Sequence, residues 1–183
     1  MVNIDQGESQ PSDLDRIARS PEVSREGWIQ TVEDVQAMMA DRENEGYETL
    51  FLPSGHTTPK NPESGETEEW GLSYIVPGNK VDPFIEFNER ANFSETAVYQ
   101  STAGENVFIV TECIDPEAKL SLFIGGAYRI RFSPPMVRTA MEEGKMYSHL
   151  KRLDGTLIHT FEHEHPESFF PDPDQFYAYE TDI

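Results

Sequence analysis

The stretch from Thr96 to Phe132 limits the possible folds most, because it reads as three strands in succession with only tight connections between them. Segments 96–102, 106–113 and 119–132 are separated by Gly104-Glu105 and by Asp115-Pro116, pairs suited to turns. The third segment alternates. Leu120, Leu122, Ile124, Tyr128, Ile130 and Phe132 fall on one face, and Lys119, Ser121, Arg129 and Arg131 on the other. Strands joined by such short links pair antiparallel. Gly125-Gly126 sits in the middle of the third strand and predicts a bulge or a close backbone approach.

Helical spacing precedes this meander. Trp28, Val32, Val35 and Met39 recur at i, i+4, i+7 and i+11, which predicts a helix over 24–45 with one apolar stripe. Gly46 is its natural stop. Upstream, Ser12 and Ser20-Pro21 are N-cap signals within a polar segment, 1–23, expected to be largely disordered or loosely ordered. Strands are expected at 47–52 and 71–76. The 17 residues of 53–69 between them carry no apolar side chain, the pattern of a long loop. Pro77-Gly78-Asn79-Lys80 reads as a turn, and Asp82-Pro83 as the cap of a short helix sharing Phe84, Phe87 and Ala91 on one face.

After the meander, Ser133-Pro134-Pro135 opens a third helix ended by Gly144. Asp154-Gly155 then makes a two-residue hairpin turn between 145–153 and 156–163. This order predicts a single α+β domain over 24–171, a largely antiparallel sheet packed by about three helices, followed by an acidic aromatic tail at 172–183. A chain of 183 residues buries roughly 70% of its unfolded surface in such a domain.

Charge narrows the setting. There are 34 acidic residues against 14 basic ones, for a net charge of −20. Self-repulsion on that scale is screened in molar salt, where the Debye length is ~3 Å. The acids are spread along the chain, which fits salt adaptation better than nucleic-acid mimicry or a docking face for a basic partner. Nucleic acid is excluded as a ligand by the lack of a basic patch. No run approaches the ~18 apolar residues of a membrane span, and the first residues lack the pattern of a signal peptide. One cysteine, Cys113, permits no internal disulfide, which fits a cytoplasmic setting. Its apolar neighbours make it a buried thiol rather than a nucleophile.

Several phrases then stand out together: GYETLFLPSG (46–55), WGLSYIVPGNK (70–80), LFIGGAYRIR (122–131), MYSHLKRLDGT (146–156) and FEHEHPESFFP (161–171). In so acidic a chain they resemble an uncharacterised family of small haloarchaeal proteins, a domain of unknown function, over roughly residues 25–171. The resemblance implies a cytoplasm of high salt and carries no activity, cofactor or site residue with it.

Three places hold residues suited to chemistry. In the first, Arg129 and Arg131 project from one strand face, Ser133 stands at a helix N-terminus and Arg138 lies in that helix's first two turns. Arginine takes phosphate or carboxylate in bidentate fashion, and free helix N–H groups add a positive dipole end. Cross-strand pairing of these arginines with Glu or Asp is the structural alternative. In the second, His159, Glu162, His163 and His165 are the ligand types of zinc or iron, as in a metal-dependent hydrolase. A two-residue turn, however, sets His159 opposite Leu150 and His149 opposite Thr160, on the other face, and the spacing matches no zinc pattern.

In the third, the loops Ser54-Gly55-His56-Thr57 and Pro77-Gly78-Asn79-Lys80 share a sheet edge if their strands run parallel, with His56 as the candidate general base and Lys80 facing an anion. There is no G-x-S-x-G elbow, no H-E-x-x-H and no identifiable Cys–His pair. The expectation is therefore a non-enzymatic domain binding a small anion or a protein partner around Arg129, Arg131, Ser133 and Arg138, without a cofactor. The metal-dependent hydrolase, with a divalent metal on the His/Glu cluster, is the alternative. Neither nucleic acid nor membrane is expected as a partner, and a homodimer is the expected assembly.

Overall fold

The computed structural model describes residues 21–62 and 69–177, with side chains from Ser24 on, and the meander lies at the centre of its first sheet. Strands β4 (Glu95–Ala103), β5 (Asn106–Asp115) and β6 (Leu120–Arg129) pair antiparallel in succession, and β1 (Glu48–Pro53) adds to β6 in parallel. The sheet order is β1-β6-β5-β4. A second sheet, ordered β2-β3-β7-β8, is built from β2 (Thr57–Lys60), β3 (Gly71–Ile75), β7 (Met146–Lys151) and β8 (Leu157–His163), with β3 and β7 parallel. With its helices this makes one α+β domain of two mixed four-stranded sheets.

One buried cluster joins the two sheets. Ile109, Leu122 and Ile124 of the first share it with Leu72, Tyr74 and Leu150 of the second. Helix α2 (Gly78–Arg90) adds Val81, Phe84 and Phe87, and α3 (Pro134–Glu143) adds Met136, Val137 and Ala140. Each fully buried side chain of this kind contributes about 1.5–3 kcal/mol by leaving water. The opposite face of the first sheet is covered by α1 (Pro21–Asn44), whose Val35 packs on Val110 and Phe123. Every residue of β5 is consequently buried, because both faces of its sheet are covered.

The stripe predicted for α1 is present and wider than its apolar residues suggest. Gly27 lies so close to Phe108 that a Cβ there would stand 2.4 Å from the ring. One turn before the C-terminus, Arg42 reaches into the sheet to Glu112, at 2.6 Å through Nε. Glu112 is buried and also accepts from Ser121 Oγ at 2.8 Å. Ser121 is thus buried rather than solvent-facing, a consequence of α1 lying over it.

The fold departs from the sequence expectations at five points. The 53–69 segment holds β2, a strand without an apolar side chain; β-branched Thr57 and Thr58 pair with Tyr74 and Ser73, and an edge position tolerates Pro59. Helix α2 begins at Gly78, so Pro77–Lys80 is not a free turn and Pro83 lies inside the helix. The β6 alternation stops at Arg129, where Ile130–Phe132 turns into a 3-10 helix, leaving Phe132 56% exposed and Arg131 off the strand. The β7–β8 turn has three residues, not two: Gly155 N–H donates to the Arg152 carbonyl and Arg152 N–H to the Thr156 carbonyl, with Gly155 at φ +89°. A bulge between Leu150 and Lys151, with Ile158 as the extra residue opposite, compensates, so Leu150 still faces His159 and His149 faces Thr160. Finally, α4 (Pro173–Tyr177) docks within the predicted tail, burying Phe176 beside Tyr128 and Phe170. The N-cap signals at Ser12 and Ser20 lie outside the described residues.

Candidate anion-binding site

Gly125-Gly126 produces no bulge; the β5–β6 register runs straight through it. The pair allows the close approach that shapes the site. A Cβ on Gly126 would stand 2.3 Å from Thr57 Oγ1 and 2.8 Å from the Tyr74 ring, so glycine lets the start of β2 cross over β6. The crossing loop is held by its own hydrogen bonds. Ser54 N–H donates to the Gly125 carbonyl (2.8 Å), Ser54 Oγ to the His56 carbonyl (2.8 Å), and Ile75 N–H to that same carbonyl (3.0 Å). Residues 54–57 are therefore a fixed wall, and His56 projects from it, exposed.

Between this wall and the end of β6 lies a cleft of about 440 Å³, lined by residues 55–59, Asn106, 127–129 and Phe132. A smaller hollow of about 190 Å³ shares Gly55, Asn106 and Ala127 with it and continues towards Ser24 and Trp28 on α1. Asn106 Nδ2 donates to Ser24 Oγ at 3.1 Å, tying the helix to the start of β5. In a chain with 34 acidic residues, no carboxylate among the described residues lines either hollow.

The structure brings together two residues that the sequence reading kept apart, Arg129 and His56, both lining the larger cleft. Arg129 is exposed, and neither its guanidinium nor the His56 ring makes a hydrogen bond or ion pair with a described residue. Three other arginines of the domain are occupied: Arg90 holds Glu48 in a fork at 2.7 and 2.9 Å, Arg131 holds Glu105 at 2.8 Å, and Arg138 lies over the Tyr177 ring at 4.7 Å. Ser133 does not cap α3. Its hydroxyl donates to the Arg129 carbonyl at 2.6 Å and lies 3.1 Å from that of Ile130. Asn61 caps the helix instead, accepting from Met136 N–H at 3.1 Å. That partner comes from 75 residues earlier, and nothing in the local sequence of either segment announces it. Lys80 lies in the first turn of α2, and β1 and β3 belong to different sheets, so the two loops do not share an edge as expected.

The C-terminal histidines do not converge. His163 is buried, with Nε2 3.0 Å from Ser148 Oγ, and burial pushes its pKa down to about 4. His159 packs edge-on to Phe161 at 4.5 Å, and burial lowers its pKa as well. Glu162 points to the other face and pairs with Lys145 at 3.3 Å; His165 is largely exposed near Glu167. His149 is fixed on that other face too, with Nε2 donating to the Trp70 carbonyl and Nδ1 2.9 Å from Thr160 Oγ1. Among the described residues, no three His, Cys, Asp or Glu side chains are grouped to hold a metal ion, so the hydrolase alternative loses its metal site. Strand alternation explains this, since consecutive residues of β8 face opposite sides. Cys113 is buried as expected, its thiol pushed up to about 12 by desolvation.

No described helix is long and apolar enough to cross a membrane. No curated protein and no solved structure matches the chain. A family model spans residues 14–171, and the chain belongs to that family, a family of unknown function (DUF7529).

Proposed function

We propose that this protein binds a small anion in the cleft beside Arg129, without catalysing a reaction on it, in a cytoplasm of high salt. The observation that carries the reading is an arginine that has no partner among the described residues and lines a cleft to which those residues bring no carboxylate, in a chain of net charge −20. Arg42, Arg90 and Arg131, by contrast, each hold a carboxylate. Leaving Arg129 open keeps its guanidinium fork for a ligand carboxylate or phosphate. The exposed His56 ring faces the same volume and adds a hydrogen-bond donor. A cleft of about 440 Å³ falls within the usual ~300–1,000 Å³ of small-molecule sites.

Salt adaptation belongs to the same reading: the distributed acids and the few lysines keep the chain hydrated and soluble where charge is screened. The test is isothermal titration of the folded protein in molar KCl with inorganic phosphate, pyrophosphate and citrate. Arg129→Ala is expected to weaken binding at least tenfold with an unchanged melting temperature, since its side chain makes no hydrogen bond or ion pair with a described residue. Equal affinity in wild type and variant overturns the reading.

A further inference from the structure

Phe132 gives the cleft a second feature that an anion alone does not need. Among the described residues it is the one phenylalanine left exposed, at 56%, and it lines the same cleft as Arg129, three positions along the chain. Its exposure follows from the 3-10 turn at Ile130–Phe132, which ends the strand alternation just before this ring. Ile130, two residues earlier, is buried by the same turn. The ring therefore shares its cleft with Arg129 and with the 54–57 wall, which is fixed by hydrogen bonds.

An aromatic ring and a guanidinium lining one cleft select for a ligand with a flat ring at one end and an anion at the other. The ring stacks on Phe132 in an offset or edge-on arrangement, and the anion takes the Arg129 fork. Desolvating an exposed phenylalanine adds affinity that salt does not screen. The cleft has room for both parts, and the adjoining hollow towards Trp28 extends it for a longer molecule. We infer that the ligand of the Arg129 cleft is an aromatic anion, its ring stacked on Phe132 and its phosphate or carboxylate held by Arg129. The inference rests on the anion-binding reading and gives it a ligand class.

Titration with AMP, adenosine, inorganic phosphate and indole-3-carboxylate tests it on the full chain. AMP or the indole acid is expected to bind at least tenfold tighter than phosphate. Phe132→Ala should cancel about a tenfold part of that gain, the value of one stacked base, and leave phosphate affinity unchanged. Phe132→Tyr should restore it. A preference for AMP assigns the phosphate source of the anion, and a preference for indole-3-carboxylate the carboxylate source. If phosphate binds as tightly as the aromatic anions and still depends on Arg129, the aromatic inference falls and the anion site stands. If no probe depends on Arg129, both fall.

Discussion

His163 couples the fold to pH in a direction that can be worked out from its surroundings. The ring is 4% exposed, packed at 4.9 Å from Phe169 and stacked on Phe161, with Ser148 Oγ as its one hydrogen-bond partner among the described residues. Burial lowers its pKa from 6.5 to about 4. Between those values the unfolded chain binds a proton that the folded protein refuses, so acid favours unfolding. The stabilisation is present above pH 6.5, is lost as pH falls from 6.5 to about 4, and changes no further below that. From pH 7 to pH 5 the linkage costs about 2 kcal/mol. For a chain of this size that is a melting shift of roughly 4–8 °C. Staying at or above pH 5 also keeps clear of the isoelectric point near 4.4. The assay is urea unfolding at both pH values for wild type and His163→Gln. The variant starts less stable, but its loss between pH 7 and 5 should be smaller by about 2 kcal/mol. His149 and His159, also lowered by burial, act in the same direction and remain in both proteins, so the difference isolates His163. Equal pH dependence in the two proteins, or an NMR titration of the His163 ring near pH 6.5, refutes the argument.

Three further outcomes follow from packing. Arg42→Ala leaves the buried Glu112 carboxylate without its guanidinium and should cost about 3 kcal/mol in urea unfolding, the low end for such pairs because Arg42 is a quarter exposed. Replacing both at once, Arg42→Met with Glu112→Leu, should recover more than half of that loss; no recovery would mean the pair stabilises beyond its own charges. Gly126→Ala drives a methyl group into Thr57 and Tyr74 and should cost about 1–3 kcal/mol, with weaker anion binding as the β2 wall shifts; a melting curve and one titration decide it. Cys113, 1% exposed and with its thiol raised to about 12, should resist thiol reagents at pH 8 until urea unfolds the protein, and rapid labelling of the folded form would contradict its burial.

The readable parts of the sequence were those where one face decides the pattern. The α1 stripe and the opposed faces of His149 and His159 all follow from periodicities of 3.6 or 2, and they survive in the structure. Elements whose partner lies far along the chain were not readable. Strand β2 shows no apolar signal because its pairing with β3 and its packing on Gly126 supply what its own side chains lack. The end of β6 looked like continued strand because Ile130 and Phe132 keep the alternation in composition while the backbone leaves it. The site shared this fate. Arg129 is identifiable from sequence as a cation on one strand face, but its distinction from Arg131 depends on Glu105, which occupies one and not the other. His56 was seen as a loop residue, and only the β2 crossing brings it to the same cleft.

An anion site on a protein of net charge −20 has a salt dependence opposite to that of an ordinary basic pocket. Two forces act on an approaching anion, with different ranges. Repulsion from carboxylates spread over the surface is long-ranged and fades once the Debye length falls from ~10 Å at 0.1 M salt to ~3 Å at 1 M. An anion held by Arg129 would be bound at hydrogen-bond distance, inside even the shorter screening length, and stacking on Phe132 would add a part that salt does not weaken. Affinity for AMP and for inorganic phosphate should therefore rise severalfold from 0.1 M to about 1 M KCl, where a basic pocket would lose affinity. Circular dichroism at each salt concentration separates this from salt-dependent folding, and adenosine, which carries no charge, should follow folding alone. If phosphate affinity instead falls steadily with KCl while the protein stays folded, local attraction at the cleft outweighs the field of the whole chain, and the acidic surface has no part in ligand binding.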